Sequence, residues 1–198
     1  MTAAASLLRA ILAALVLTAV LGLGYPLLVT GVAQVAFHHE AQGSLIVRSG
    51  QIVGSRLAAQ PFTSPRSFHP RPSATTPPYD AAATTFANLG PTSPTLLDAV
   101  RARAQAILRL ERPYNPGLTV SGIPVDAVTT SASGIDPDIS LAYAELQARR
   151  VAAVRHLPLT TVERLIRANT DGRSLGFFGE PGVNVLALNL ALDKASLR

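Results

Sequence analysis

From Ala10 to Phe37 the chain carries no Asp, Glu, Lys, Arg or His, a run of 28 residues. Its first half, Ala10 to Leu21, is apolar except for Thr18. About 20 helical residues at 1.5 Å each cross the ~30 Å hydrocarbon core of a bilayer, so this segment is long enough to span one. No other stretch approaches that length without a charge. The expected organisation follows: a short tail (residues 1–9), a transmembrane helix with its extension (10–37), and a folded domain (38–198).

A secretory signal peptide is the rival reading, with Gly31-Val32-Ala33 as the cleavage site and a mature N-terminus at Gln34. Against it, the apolar run continues past Gly24-Tyr25-Pro26 through Leu27, Leu28, Val29 and Val32. Pro26 sits near the far end, where a kink is tolerated, and Tyr25 suits the interface. Arg9 and the α-amine flank the N-terminal side, whereas no Lys or Arg follows until Arg48. The positive-inside rule then places the N-terminus in the cytoplasm and the domain outside. The chain has no cysteine, which excludes a disulfide framework.

The formal charge of +5 raises the question of nucleic acid. The arginines are scattered singly or in pairs, as in Arg101/Arg103 and Arg149/Arg150, and no basic run is interleaved with aromatics. They read as solvated helix faces, and no nucleic-acid partner is expected.

Leu45–Arg48 and Gln51–Val53 read as two strands around Ser49-Gly50. Residues 60–94 then carry eight prolines, which leave little regular structure. Phe62, Phe68, Tyr79 and Phe86 mark this loop as ordered and packed rather than as a linker. Ser93-Pro94 starts a helix whose apolar stripe is Leu97, Val100, Ala104, Ile107 and Leu108. Val125–Thr130 reads as a strand. Asp136-Pro137 is expected to open a second helix, with a stripe of Ala144, Ala148, Val151 and Ala152. Thr160 and Glu163 suggest a capping box for a third helix with Val162, Leu165 and Ile166. Val183–Leu190 reads as a buried strand, and Gly176–Gly182 as the turn before it. The fold class is therefore a mixed α+β domain behind one N-terminal transmembrane helix.

Recognisable chemistry is sparse. The glycines of 176–182 lack the Lys and helix of a phosphate loop. His38, His39, His69 and His156 show no metal-ligand spacing. Ser131, Ser133, Asp136 and His69 can be drawn as a triad, but no Gly-x-Ser-x-Gly elbow supports it. Turn and cap chemistry is the simpler role for these serines. Arg71 lies between Pro70 and Pro72, so its backbone is stiff. It suits either a partner's carbonyls or an internal ion pair with Asp126 or Asp136. Asn184 and Asn189 in an apolar run each require a hydrogen-bond partner if buried.

Several blocks together are specific: Gly24-Tyr25-Pro26 with Thr30 and Ala33-Gln34; Gly43-Ser44-Leu45-Ile46, Gly54-Ser55 and Gln60-Pro61-Phe62; Phe68-His69-Pro70-Arg71-Pro72-Ser73-Ala74; Val128–Ser140; and Asn184-Val185-Leu186 with Leu188-Asn189. Over nearly its whole length the chain resembles the C-subunit family of the bacterial potassium-transporting KdpFABC ATPase. Two positions depart from that pattern. Thr84-Thr85-Phe86-Ala87-Asn88 stands where the family has a glycine-bearing Ser-Gly-Gly-Ser-Asn, and Asp138 stands where it usually has His.

The resemblance implies a non-catalytic accessory subunit of an ATP-driven potassium uptake complex. It implies a role in assembly and that of a catalytic chaperone raising the ATP affinity of the hydrolysing subunit. The implied partners are a potassium-binding channel-like subunit, a P-type ATP-hydrolysing subunit, a small single-helix subunit and the lipid bilayer. No cofactor is expected on this chain alone; ATP and K+ are handled by the complex, in the bacterial inner membrane. A membrane-tethered periplasmic hydrolase and a secreted binding protein are the alternatives. The candidate interface residues are Gly22, Gly24, Tyr25, Arg71, Ser133 and Asp136. Gly22 and Gly24, with Ala13, Ala14 and Ala19, allow close helix approach. The topology predicts that protease added outside spheroplasts digests Ala41–Arg198; full protection of that segment would reverse the orientation.

Overall fold

The computed structural model describes residues 3–196. The chain separates into two compact units, residues 1–45 and 46–198.

In the first unit one continuous helical run covers Ala3–Ala36, 34 residues. At 1.5 Å per residue this is about 51 Å, more than a hydrocarbon core requires. It consists of α1 (Ala3–Ala19), a π-helical turn (Val20–Gly24) and α2 (Tyr25–Ala36). Pro26 explains the wide turn. It has no N–H to give the carbonyl four residues back, and its ring crowds that carbonyl. The preceding ladder shifts register instead, and the Tyr25 N–H bonds Val20 O, five residues back. Pro26 is thus accommodated by a π turn. A four-residue turn, α3 (His38–Ala41), follows.

The hairpin β1 (Leu45–Arg48) and β2 (Gln51–Ser55) matches the sequence reading. Ser49 and Gly50 take φ of 51° and 79°, the two left-handed residues that a two-residue hairpin turn demands. From Arg56 to Ser93 there is no helix or strand. The Thr76–Pro77 bond in this segment is cis.

Helix α4 (Pro94–Glu111) starts as expected, with the Ser93 hydroxyl accepting from Leu96 N at 3.4 Å. Residues 125–128 form a short helix, α5 (Val125–Val128), not a strand. Pro124 sets the φ that enters it, and Ala127 and Val128 are its buried residues. Asp136-Pro137 does not start a helix either. The chain first forms strand β3 (Asp138–Ser140), and Ser140 caps α6 (Leu141–Arg155), accepting from Tyr143 N at 3.0 Å. The Asp126 carboxylate fixes this cap, taking Ser140 N at 2.7 Å and the Ser140 hydroxyl at 2.9 Å.

Helix α7 (Leu159–Ala168) buries Val162 and Ile166 as expected, but its N-cap is Pro158, so the Thr160–Glu163 capping box does not form. The apolar run 183–190 divides between two elements. Strand β5 (Gly182–Asn184) ends where the Asn184 side chain accepts from Ala187 N at 3.1 Å, and α8 (Val185–Ala195) follows. With β4 (Thr170–Asp171) these strands form an antiparallel sheet in the order β3-β5-β4. Ile139 and Thr170 lie on either side of Val183 in register.

Helix α6 is the centre of the domain. Ala144, Ala148, Val151 and Ala152 face Ile107 of α4, Val162 and Ile166 of α7, and Leu188 and Leu192 of α8. Phe68, from the proline-rich loop, is fully buried in the same cluster.

Asn184 both caps α8 and donates to Arg56 O and to an Asp138 carboxylate oxygen, each at 3.0 Å. Ser93 is only a cap. Ser93→Ala should lower unfolding free energy by about 1 kcal/mol. Asn184→Ala should lower it by about 2–3 kcal/mol, because buried groups are also left unpaired. Denaturant melts of the two variants test this order.

Candidate functional site

Prolines in the segment from Pro61 to Pro78 leave gaps in any backbone ladder, yet the segment enters the core. Its carbonyls must find donors elsewhere. Five consecutive carbonyls find them on side chains of α6 and α8. Arg150 donates through one guanidinium nitrogen to Pro65 O and to Ser67 O. Arg155 donates to Arg66 O. The Asn189 amide holds both sides of Phe68, accepting from its N–H at 2.8 Å and donating to its carbonyl at 3.0 Å. Gln147 does the same for His69, at 2.8 and 3.1 Å.

The clamp depends on charge pairing inside the domain. Arg150 has no exposed surface, and Glu111 at the end of α4 is also buried. Arg150 Nε meets Glu111 Oε1 at 2.8 Å, and its remaining nitrogen reaches Gln147 Oε1 at 2.9 Å. Arg155 is neutralised by Asp193 of α8 at 2.9 Å. Burial and the nearby Arg150 charge both push the His69 imidazole below its ordinary pKa, while its bond to Ser64 O opposes this weakly. His69 Nε2 lies 3.0 Å from that carbonyl.

Beyond the clamp the loop meets the segment before β3. Ser131 N donates to Pro72 O at 3.3 Å, and the Ser73 hydroxyl donates to Gly134 O at 2.7 Å. Gly134 has φ +74°, and a Cβ there would stand 2.6 Å from Thr75 Cγ2, so the close approach requires glycine. Arg71 pairs with Asp136 at 2.9 Å, both half-buried, and reaches toward Thr130 O at 3.4 Å. Tyr79 locks the Arg71 carbonyl through its hydroxyl at 3.0 Å. Arg71 Nε is enclosed without a partner. The guanidinium lines an open hollow of ≈ 650 Å³ with Phe86, Leu89, Thr130 and Ser131.

The structure therefore brings 68–74 and 131–136 together and resolves the two roles left open for Arg71 in favour of the pair with Asp136. Ser133 lies on the same segment, exposed, its hydroxyl accepting from Ile135 N in a tight turn. Gly22, Gly24 and Tyr25 belong to the other unit. The glycines fall in the π turn, and Tyr25 closes it and is exposed. The imagined triad is not assembled: His69 engages Ser64 O, Asp136 engages Arg71, and no hydrogen bond links either to Ser131 or Ser133 among the described residues. Among the described residues, no group of three His, Cys, Asp or Glu is placed to hold a metal.

Asn189, expected to need a hydrogen-bond partner if buried, is buried and finds Phe68, whereas the roles of Arg150, Glu111 and Gln147 escape the sequence reading. A signal existed for two of them: Gln147 and Arg150 fall between Ala144, Ala148 and Val151 on the stripe of α6, where polar residues are out of place.

This geometry defines a class: an α+β domain, behind one apolar helix long enough to cross a membrane, that presents an ordered irregular surface. The family model KdpC, described as K+-transporting ATPase, c chain, matches residues 7–194. The curated "Potassium-transporting ATPase KdpC subunit" of Sorangium cellulosum is 52% identical over 192 residues, covering 96% of this chain and 98% of that protein. Its namesake from Methylococcus capsulatus is 51% identical over 185 residues (93% and 95%). That of Mycobacterium tuberculosis H37Rv is 50% identical over 188 residues (95% and 97%). The chain belongs to the KdpC family, the c chains of K+-transporting ATPases.

Breaking a buried pair on one side leaves an uncompensated charge. Arg150→Met should therefore destabilise the full chain by about 3–5 kcal/mol, and Arg150→Met with Glu111→Met by less than Arg150→Met alone. Arg71→Ala should cost only about 1 kcal/mol, because its pair is partly solvated. Melting curves in detergent check this ranking.

His69 supplies a pH dependence. Its folded-state pKa lies below the ordinary 6.5, so the unfolded chain takes up the proton more readily. The stability this contributes is complete above pH 6.5 and lost as pH falls through the folded value. Between pH 7 and pH 5 melting temperature should fall, and His69→Gln should flatten that slope. An identical slope in both proteins would remove His69 from the account.

Proposed function

We propose that this chain is the non-catalytic accessory subunit of an ATP-driven potassium uptake complex, required for its assembly and for coupling its ATPase. On this reading residues 1–9 are cytoplasmic, 10–37 lie in the bacterial inner membrane, and the domain lies outside. The partners are a potassium-binding channel-like subunit, a P-type ATP-hydrolysing subunit and a small single-helix subunit. The reading rests on family membership. The observation that carries its mechanism is the rigid, half-exposed surface built from Arg71–Thr75 and Ser131–Asp136, with Arg71 beside an open hollow.

A pre-ordered surface binds without the entropy loss of ordering a loop. Arg71 gives one terminal nitrogen to Asp136 and the other only a long 3.4 Å contact to Thr130 O, so the half-exposed end of its fork can still meet a partner's carbonyl or carboxylate. In the anchor, a Cβ on Gly22 or Gly24 would meet its nearest other atom at 3.9 or 3.8 Å, ordinary contact distances. Larger residues therefore fit this chain itself, and small residues there serve a neighbouring helix.

ATP is cytoplasmic, and on this reading the folded domain lies on the other side of the membrane. The catalytic-chaperone effect, a rise in ATP affinity of the hydrolysing subunit, is transmitted on this account through helix contacts rather than by direct ATP binding. Two substitutions test the pieces. Gly22→Leu should reduce copurification with the other subunits several-fold while membrane insertion is retained. Arg71→Ala should reduce potassium-dependent ATPase activity of the complex far more than the melting temperature of the chain. Unchanged complex yield for the first, or a melting loss that accounts for the activity loss in the second, would overturn the corresponding part.

A further inference from the structure

The hollow beside Arg71 has a lining that selects what can fill it. Among the described residues Arg71 is the only charged side chain lining it. A guanidinium offers more donors than one carboxylate can take. Arg71 gives one terminal nitrogen to Asp136 at 2.9 Å and the other a 3.4 Å contact to Thr130 O. The Asp136 carboxylate is itself shared, its second oxygen accepting from Asp138 N at 3.1 Å. Arg71 Nε is enclosed with no partner. The chain thus fixes this cation in place but compensates it only in part. Arg103 adds a second positive charge nearby. Its Nη1 donates to the neutral Val128 O at 3.0 Å, one residue before the wall formed by Thr129, Thr130 and Ser131.

Two further features narrow the occupant. The Thr130 and Ser131 hydroxyls have no hydrogen-bond partner among the described residues, so both are free to donate into the hollow. The remaining lining is largely apolar and open to solvent: Phe86 is 57% exposed and Leu89 40%, with Leu96 beside them. At ≈ 650 Å³ the hollow has the size of a ligand pocket.

We propose that this hollow is the docking pocket for an acidic peptide segment of a partner subunit, whose Asp or Glu carboxylate bonds Arg71 while an adjoining apolar side chain packs on Phe86 and Leu89. This rests on the accessory-subunit reading and names the chemistry of its partner. The charge decides the sign, because a carboxylate is the complement of an under-compensated guanidinium and matches its planar fork. The apolar lining decides the class. A free inorganic anion would leave Phe86 and Leu89 in water, whereas a peptide covers them as its carboxylate binds. Pro70, Pro72 and the Tyr79 hydroxyl already hold the Arg71 backbone, so little ordering remains to oppose docking.

The chain has a single lysine, the exposed Lys194, so amine chemistry can be directed to the hollow. In a Lys194→Arg parent, Arg71→Lys and, separately, Ala87→Lys each place one amine there. Ala87 lines the hollow and is exposed, so the second variant leaves Arg71 in place. The assembled complex is treated with a water-soluble carbodiimide. This reagent joins an amine to a touching carboxylate as an amide and takes up the lost water as a urea. Mass spectrometry then identifies the joined peptides. The proposal expects both amines to be captured by the same Asp or Glu of another subunit, next to an apolar residue, several-fold above the parent. Cross-links confined to this chain, such as to Asp136, would overturn it. So would capture by a lipid carboxylate, by an acid with no apolar neighbour, or at only one position when both complexes assemble. If Arg71→Lys does not assemble, Ala87→Lys decides alone. Copurification of the parent with the other subunits is scored separately, so failure of the accessory-subunit reading is distinguishable from an empty hollow in an assembled complex.

Discussion

Arg150 is the residue on which the rest of the domain depends. It is a fully buried cation, which no fold tolerates without compensation. Here the compensation is the Glu111 carboxylate, the Gln147 amide and two loop carbonyls. Each partner comes from a different part of the fold: the end of α4, α6 itself, and the proline-rich loop. Removing water from this network makes each bond stronger and each missing partner more costly. The pair therefore specifies one arrangement of loop and helices, and that arrangement delivers Phe68 to the core.

Asn189 and Gln147 extend the same solution along the chain. A strand pairs its carbonyls with a neighbouring strand, but a segment with Pro65, Pro70 and Pro72 cannot sustain a ladder. Side-chain amides and guanidinia replace the missing neighbour one residue at a time. The result has the rigidity of regular structure without its repeat. It can therefore present Arg71 and the 131–136 segment at fixed positions, as a docking surface requires.

Much of this architecture was legible in the sequence. The hairpin at Ser49-Gly50, the Ser93-Pro94 start and the apolar stripes of α6 and α7 follow from local rules that tertiary structure did not oppose. The misreadings have a common cause. Val125–Thr130 and Val183–Leu190 are short apolar runs, in which periodicity does not separate strand from helix. Asn184 was visible as a polar interruption, and its capping role marks the boundary between β5 and α8. Asp136 has the chemistry of a cap, but its carboxylate is taken by Arg71 and by Asp138 N, so the helix waits for Ser140. The Arg71–Asp136 pair was one of two readings open from sequence. The Arg150–Glu111 pair was not seen, because it joins residues 39 positions apart and the arginine pair at 149–150 looks solvated.

The central claim is that the clamped loop and the 131–136 segment form the surface that serves the partner subunits. Hydrogen–deuterium exchange, compared between the free chain and the assembled complex, tests it most directly. The account predicts that the amides of 71–76 and 130–136 gain protection on assembly, while those of 67–69, already bonded to Ser64 O, Asn189 and Gln147, change little. Unchanged exchange across 71–76 and 130–136, with new protection confined to other faces of the domain, would contradict it.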